Sequence, residues 1–342
     1  MNTKPTLVGM TLDEISQSCG SMEIPRYAIR EIALWLYRRG ATTFEEFTNI
    51  SKKVRAALYE NFNTGLISPL KVSESIDGTK KYLFRIGEQH YIETAYIPDG
   101  KRHTLCVSSQ IGCKLGCSFC MTGRQGFQGQ LSTGQILNQL LSIPERELIT
   151  NIVFMGMGEP FDNTDSVMKA LEILTSDYGM SISPRKITVS TVGLIPGMRH
   201  FIENSKCQLA ISLHSPFNEE RINLMPVEKA YPIHEVIQTL KEYTFEKQRR
   251  ISFEYIILKG INDTPRHINQ LARLLNGLRC KINLIRFHAI PDSPFQSTDE
   301  KSVQIFRDKL DSKGITTTIR ASRGEDIFAA CGLLSTKELL QN

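Results

Sequence analysis

From residue 104 onward the hydrophobic pattern switches regularly between two periods, and this alternation restricts the fold more than any other feature of the chain. Short aliphatic and β-branched runs read as strands: Thr104–Ser108, Asn151–Met155, Lys186–Ser190, Gln208–Leu213, Ser252–Leu258, Lys281–Arg286 and Thr316–Arg320. Between them, Gly134–Ser142, Thr164–Leu174, His234–Tyr243, His267–Leu275 and Ser302–Leu310 carry apolar residues at helical spacing. Strands alternating with helices build βαβ units around a parallel sheet. Six or seven such strands predict an α/β fold, a partial (β/α) barrel whose chemistry collects at the C-terminal ends of its strands.

The preceding stretch has a different texture. From Thr11 to about Phe62 it reads helical, with Thr11 and Asp13 as opening residues and another start at Ser51. Pro25 precedes an apolar face of Ala28, Ile29, Ile32, Ala33 and Leu36, flanked by Arg26, Arg30 and Arg38. Lys81–Ile86 and Tyr91–Ile97 read as strands, and the turn Pro98-Asp-Gly-Lys101 marks the expected boundary. The division predicted is a small N-terminal helical domain with a short β connection, residues 1–97, and a catalytic barrel, residues 98–342. Basic helices in the first part, and the run Lys247-Gln-Arg-Arg250 in the second, are candidates for meeting RNA phosphates.

The eight cysteines decide the chemistry. The chain has no run of about 18 apolar residues and no visible apolar leader, so no membrane span and a reducing, cytoplasmic setting are expected. Clustered cysteines there point to metal or catalysis. The cluster is Cys113-Lys-Leu-Gly-Cys117-Ser-Phe-Cys120, immediately after the first barrel strand. Thiolates select zinc, Cu(I) or iron–sulfur centres. Structural zinc takes four ligands, commonly in pairs, so a zinc site here would draw on Cys106 or His103. A four-iron cluster normally takes four thiolates, and three leave one iron open for a cofactor.

After the next strand comes a further candidate, the glycine turn Gly156-Met-Gly-Glu159. Glycine lets a backbone approach a ligand closely, and a carboxylate beside it can accept from an amine or ribose. The net charge of +5 is too mild to indicate nucleic acid by itself.

Together these strings resemble the radical S-adenosylmethionine enzymes, and more narrowly the RlmN/Cfr family of RNA adenine methyltransferases. The fuller strings are Leu105-Cys-Val-Ser-Ser-Gln-Ile-Gly-Cys113, Met155-Gly-Met-Gly-Glu-Pro160, Val189-Ser-Thr-Val-Gly193, Ala210-Ile-Ser-Leu-His214 and Phe328-Ala-Ala-Cys-Gly332. The resemblance implies one 4Fe-4S cluster on Cys113, Cys117 and Cys120. It implies S-adenosylmethionine, two per turnover, against Gly158, Glu159, Ser190, Ser212, Leu213, His214 and His288. At His288 the family usually has an asparagine, whose amide geometry imidazole does not reproduce.

The resemblance also implies that Cys331 receives a methyl group, that Glu93 removes a proton from the attacked carbon, and that Cys106 forms a disulfide with Cys331 to release product. Read on their own, these three would be a buried cysteine, a solvent-facing strand glutamate and a core strand cysteine. Implied substrates are an adenosine of the peptidyl-transferase region of 23S rRNA and the adenosine 3′ of the anticodon in tRNA, methylated at carbon 2. Carbon 8 is the outcome in the Cfr branch. A cytosolic electron donor and a monomeric enzyme complete the expectation, and Cys19, Cys207 and Cys280 are left as packing residues.

Overall fold

The computed structural model of the chain describes residues 4–22, 24–245 and 251–336, so the run Lys247–Arg250 lies outside the described residues. Twelve strands form: β1 (Lys71–Glu74), β2 (Lys80–Ile86), β3 (His90–Asp99), β4 (Arg102–Cys106), β5 (Gln110–Gly112), β6 (Phe127–Gln130), β7 (Asn151–Phe154), β8 (Ile187–Thr191), β9 (Gln208–Ser212), β10 (Ile251–Ile257), β11 (Cys280–Arg286) and β12 (Thr316–Ile319). The order across the main sheet is β1-β2-β3-β4-β7-β8-β9-β10-β11-β12, and β5 and β6 make a separate ribbon.

From β4 to β12 every pairing is parallel. Each crossover carries helix, as right-handed βαβ geometry demands. All seven residues of β10 are buried, the signature of a central parallel strand covered on both faces. β1 and β12 are the free edges, so the sheet curves without closing into a barrel.

Helix starts follow the sequence signals. Thr11 caps Leu12–Ser18 with a capping box to Glu14, Ser51 caps Lys52–Asn61, and Ser132 with Gln135 caps Thr133–Leu141. Each such cap is worth about 1 kcal/mol.

The turn at residues 98–101 is a hairpin inside the main sheet. β3 and β4 pair across it, with Asp99 opposite Arg102, and β1–β3 extend the same sheet antiparallel. Packing is also shared: Ile32, Leu36 and Tyr37 of the helical part belong to the same apolar core as Phe154, Val189 and Phe253 of the strands. Two of the basic side chains expected to face RNA make exposed contacts within the chain. Arg30 pairs with Asp177 at 2.8 Å, and Arg38 donates to the Asp177 carbonyl at 2.9 Å, tying the helices to the loop before β8.

Candidate active site

The glycines after β7 are required by packing. A Cβ on Gly156 would lie 2.7 Å from the Val107 carbonyl oxygen, and one on Gly158, at φ +96°, would lie 2.4 Å from the Gln110 Cβ. The turn therefore folds tightly onto the chain leaving β4. Glu159 is 3% exposed, and its carboxylate accepts from the amides of Phe161 and Val192, each at 3.0 Å. It clamps the β7 turn to the end of β8. Burial pushes its pKa up to about 7, against the hydrogen bonds that pull it down. The Gln110 side chain accepts from the Glu159 amide at 2.8 Å and donates to Asp162 at 2.7 Å, and Asp162 in turn pairs with Lys114 of the cysteine loop.

Cys113, Cys117 and Cys120 lie on the loop between β5 and the short helix Met121–Gln125. Gly116 turns the loop at φ +63°, and the Ser118 amide donates to the Leu224 carbonyl at 3.0 Å, fastening it beneath the end of β9. Burial pushes the thiols of Cys113, to about 12, and of Cys117 upward, and the charges of the other thiols in the trio add to this. Such a trio stays protonated alone and becomes thiolate when a cation is bound.

Among the described residues, no three His, Cys, Asp or Glu side chains converge on a single ion. A four-iron cluster takes each thiolate on a different iron, so three cysteines spread along one buried loop fit that group. Neither alternative fourth ligand supports a zinc site. His103 sits near the start of β4, stacked on Tyr96, whereas Cys106 sits at its other end beside Ala95, Val153 and Ala329.

Across from this loop, the ends of β8 and β9 carry Ser190 and Ser212, both half-buried, and the buried pair Leu213 and His214. His214 sits at φ +58°. Its Nδ1 accepts from the Ile256 amide at 3.0 Å, and its ring meets Phe119, between two of the cysteines, edge-on at 4.7 Å. Burial and nearby Arg221 push its pKa down to about 3, so the ring is neutral with its proton on Nε2.

Arg221 carried no sequence signal, yet it organises these ends. It is fully buried, donates to the carbonyls of Leu213, Val192 and Ser212 at 2.7–3.0 Å, and pairs with buried Glu228.

The C-terminal segment folds back over the same mouth. Cys331 is exposed to solvent there. Desolvation pushes its thiol up, with the Arg320 guanidinium pulling the other way and Glu254 and Cys120 adding to the rise. Cys106 is likewise pushed up to about 12, by burial first and then by Cys331. The two thiols therefore feel each other, but every described cysteine is free: the disulfide expected between Cys106 and Cys331 is absent from this structure.

Glu93 is buried, 4% exposed, and does not face solvent. It pairs with Lys81 at 2.9 Å and accepts from the Ser335 amide at 2.9 Å, four residues past Cys331. His288 faces Ser322 at 3.0 Å and Glu325 at 3.3 Å and lines a cavity of about 390 Å³. Cys19 and Cys207 are buried packing residues and Cys280 is half-buried in the sheet.

Comparison with known proteins matches this geometry. The profile of the radical SAM superfamily matches residues 107–275, and that of the ribosomal RNA large subunit methyltransferase N-terminal domain matches residues 6–63. A probable dual-specificity RNA methyltransferase RlmN of Bacteroides thetaiotaomicron is 52% identical over all of this chain and 99% of its own. The dual-specificity RNA methyltransferase RlmN of Syntrophus aciditrophicus is 44% identical over 96% of each chain. The chain belongs to the RlmN family. A crystal structure of a radical SAM methyltransferase from Sphaerobacter thermophilus, 38% identical, superposes with a TM-score of 0.91 over 97% of this chain and 100% of its own.

Against the RlmN family pattern, the sequence reading missed the residues that act through long-range contacts. Arg320 stands at the end of β12, 3.8 Å from Glu254 on β10, and Glu254 accepts from Asn283 at 2.7 Å. A charged residue at a strand end was the available signal for Arg320. Arg221 and Lys81 had none, because their partners are remote in sequence or on another strand.

Proposed function

We propose that the chain methylates carbon 2 of an adenosine in 23S rRNA and in tRNA through a methyl carried on the sulfur of Cys331. One observation carries the reading. The segment carrying Cys331 comes from far along the chain to Met121, next to Cys120, whose amide donates to the Gly332 carbonyl at 2.8 Å, and packs Ala329 against Cys106 of β4, while Glu93 accepts from the Ser335 amide of the same segment.

Carbon 2 of adenine is electrophilic and has no lone pair, so simple transfer of a methyl cation to it is excluded. Cys113, Cys117 and Cys120 would hold a four-iron cluster, which would supply the electron that cleaves S-adenosylmethionine to a 5′-deoxyadenosyl radical. The 5′-deoxyadenosyl radical takes a hydrogen atom from the methyl on Cys331, and the CH2 radical left on that sulfur adds to carbon 2, giving a covalent protein–RNA adduct that gives up one electron to the redox centre the three cysteines would hold. Glu93 takes the proton from carbon 2, with Lys81 beside it to balance the charge of the carboxylate that receives it. Cys106 then forms an S–S bond with Cys331 as the Cys331 S–C bond breaks, and the released carbon takes a proton to become the methyl group. The disulfide is reduced before the next cycle. The buried, neutral thiol of Cys106 fits a group that acts only once a proton acceptor or an electrophilic partner is present.

Two S-adenosylmethionine molecules per turnover follow, one for the methyl and one for the radical. Gly158, Glu159, Ser190, Ser212, Leu213, His214 and His288 line the strand ends where they would bind. The enzyme acts as a cytoplasmic monomer fed by a cytosolic electron donor.

The test is nucleoside mass spectrometry of 23S rRNA and tRNA from cells with and without the gene. Loss of 2-methyladenosine supports the reading. Loss of 8-methyladenosine would place the chain with the carbon-8 branch, and no change in either would remove the proposed substrates.

A further inference from the structure

Phe328 is an exposed aromatic held in a conformation that costs energy. It is 47% exposed, and its φ of +54° lies in the left-handed region that bulky side chains rarely adopt. Strain of this kind persists only where the surroundings over-determine it, and here they do.

The Phe328 amide donates to the Glu325 carbonyl at 3.1 Å and the Ala329 amide to the Gly324 carbonyl at 2.8 Å. The β1–β2 turn grips the same loop. Asp77 accepts from the Gly324 amide at 2.9 Å, Ser75 donates to Asp326 at 2.6 Å, and Lys81 reaches the Phe328 carbonyl at 3.5 Å. On the far side, the Met121 amide donates to the Gly332 carbonyl at 2.8 Å and Thr122 to the Leu334 carbonyl at 2.6 Å. The loop is pinned on both flanks, and the ring is presented outward in spite of the hydrophobic effect.

Phe328 is presented at the 390 Å³ cavity it lines with Arg286, His288, Glu325 and Leu333. That volume lies within the range of small-ligand pockets. Its wall combines one flat aromatic face with charged and imidazole edges. A nucleobase uses both kinds of surface: its face stacks on aromatic rings, and its edges hydrogen-bond. Cys331 follows three residues later on the same pinned loop.

We propose that Phe328 is a stacking platform for a base of the RNA substrate as it enters the mouth of the barrel. This rests on the functional reading above. A base drawn out of its own stack loses stacking energy, and an aromatic face returns part of it.

The test uses the full-length protein with its cluster reconstituted anaerobically, and a tRNA anticodon stem-loop lacking modification as probe. Four forms are compared: unaltered, Phe328→Ala, Phe328→Asn and Phe328→Tyr. Asparagine tolerates the left-handed conformation, so it removes the ring without adding strain.

Phe328→Ala and Phe328→Asn are each expected to weaken RNA binding, read by fluorescence anisotropy, about ten-fold, and Phe328→Tyr to keep it within about two-fold. Equal RNA affinity in all four forms would overturn the proposal. So would a fall in S-adenosylmethionine affinity of the same size as the fall for RNA, since the ring would then serve the cofactor. If the unaltered holoenzyme itself bound no RNA, the functional reading would fall and take this proposal with it.

Discussion

Two loops meet at the mouth of the barrel, and they are built in opposite ways. The cysteine loop, residues 113–120, is local. It runs from the β5 strand straight into the next helix, its three thiols lie within eight residues, and it is further fastened to Leu224 at the end of the helix Asn218–Leu224 and to Asp162 in the turn after β7. The Cys331 loop is remote. It is held by the β1–β2 turn about 250 residues earlier, through Asp77 and Ser75, and by the helix Met121–Gln125 that follows the cysteines. A local loop can form once its own strand forms. A remote loop pays the closure entropy of most of the chain and depends on the whole sheet being in place. The two constructions differ accordingly: the loop with three closely spaced thiols is continuous with its own strand and helix, while the Cys331 loop is a separate segment held by contacts from distant parts of the chain.

The strongest way to break this comparison is to disable each loop in turn. Cys117→Ala should abolish RNA methylation and empty the protein of cluster iron. Cys331→Ala should abolish methylation just as fully but leave iron content unchanged. Iron and sulfide analysis beside a methylation assay reads both, and loss of iron in Cys331→Ala would mean that the two loops form one unit.

Next in size is Arg221, which holds the ends of β8 and β9 under the cysteine loop. Arg221→Met leaves Glu228 buried without its counter-ion and takes one donor from each of three carbonyls, and should cost about 3–5 kcal/mol. Chemical denaturation measures it; a loss below 1 kcal/mol would show that the strand ends hold themselves.

The third prediction concerns Glu159, whose carboxyl is raised from its ordinary 4.5 to about 7. The folded protein then keeps a proton that the unfolded chain releases, so this group costs stability as pH rises from about 4.5 to 7. The cost approaches about 3 kcal/mol at most. Glu159→Gln should flatten the stability profile across that window relative to the unaltered protein. Parallel profiles would show that the buried carboxylate is fully compensated by the amides of Val192 and Phe161.

The smallest effect belongs to the remote loop. Hydrogen bonds from Thr79, Gly324 and Ser75 outweigh desolvation and hold the Asp77 carboxyl down at about 2. Its contribution is present above the ordinary carboxylate range and is lost as pH falls through about 2. With solvent screening, Asp77→Asn should cost about 1 kcal/mol at neutral pH. It should also speed labelling of the Cys331 thiol by a maleimide, which follows opening of this loop; unchanged labelling would mean the grip comes from elsewhere.

How much could be read in advance differs by element. The barrel strands were legible to within a residue or two, as with Gln208–Ser212 against the expected 208–213, because a buried parallel strand must be a short apolar run. The placement of the cysteine trio, the Gly156–Glu159 turn and His214 in loops that follow strands was legible because each lies within a few residues of its strand. The hairpin at residues 98–101 read as a boundary because a Pro-Asp-Gly turn looks the same between domains and within a sheet. Glu93 on its own read as solvent-facing because alternation along β3 does not reveal that the Cys331 segment lies over it.

The sequence by itself determined which groups can do chemistry here: three thiols at cluster spacing, strand ends to face them, and a fourth and fifth cysteine without a local partner. Only the tertiary structure decided which of those groups meet. The segment around Cys331 meets Cys106, Glu93 and Lys81 because a ten-stranded sheet places β2, β3 and β4 side by side and residues 328–335 contact them. Local propensity fixes what lies within one turn or one strand; contacts that span the chain exist only after the core they rest on has been buried.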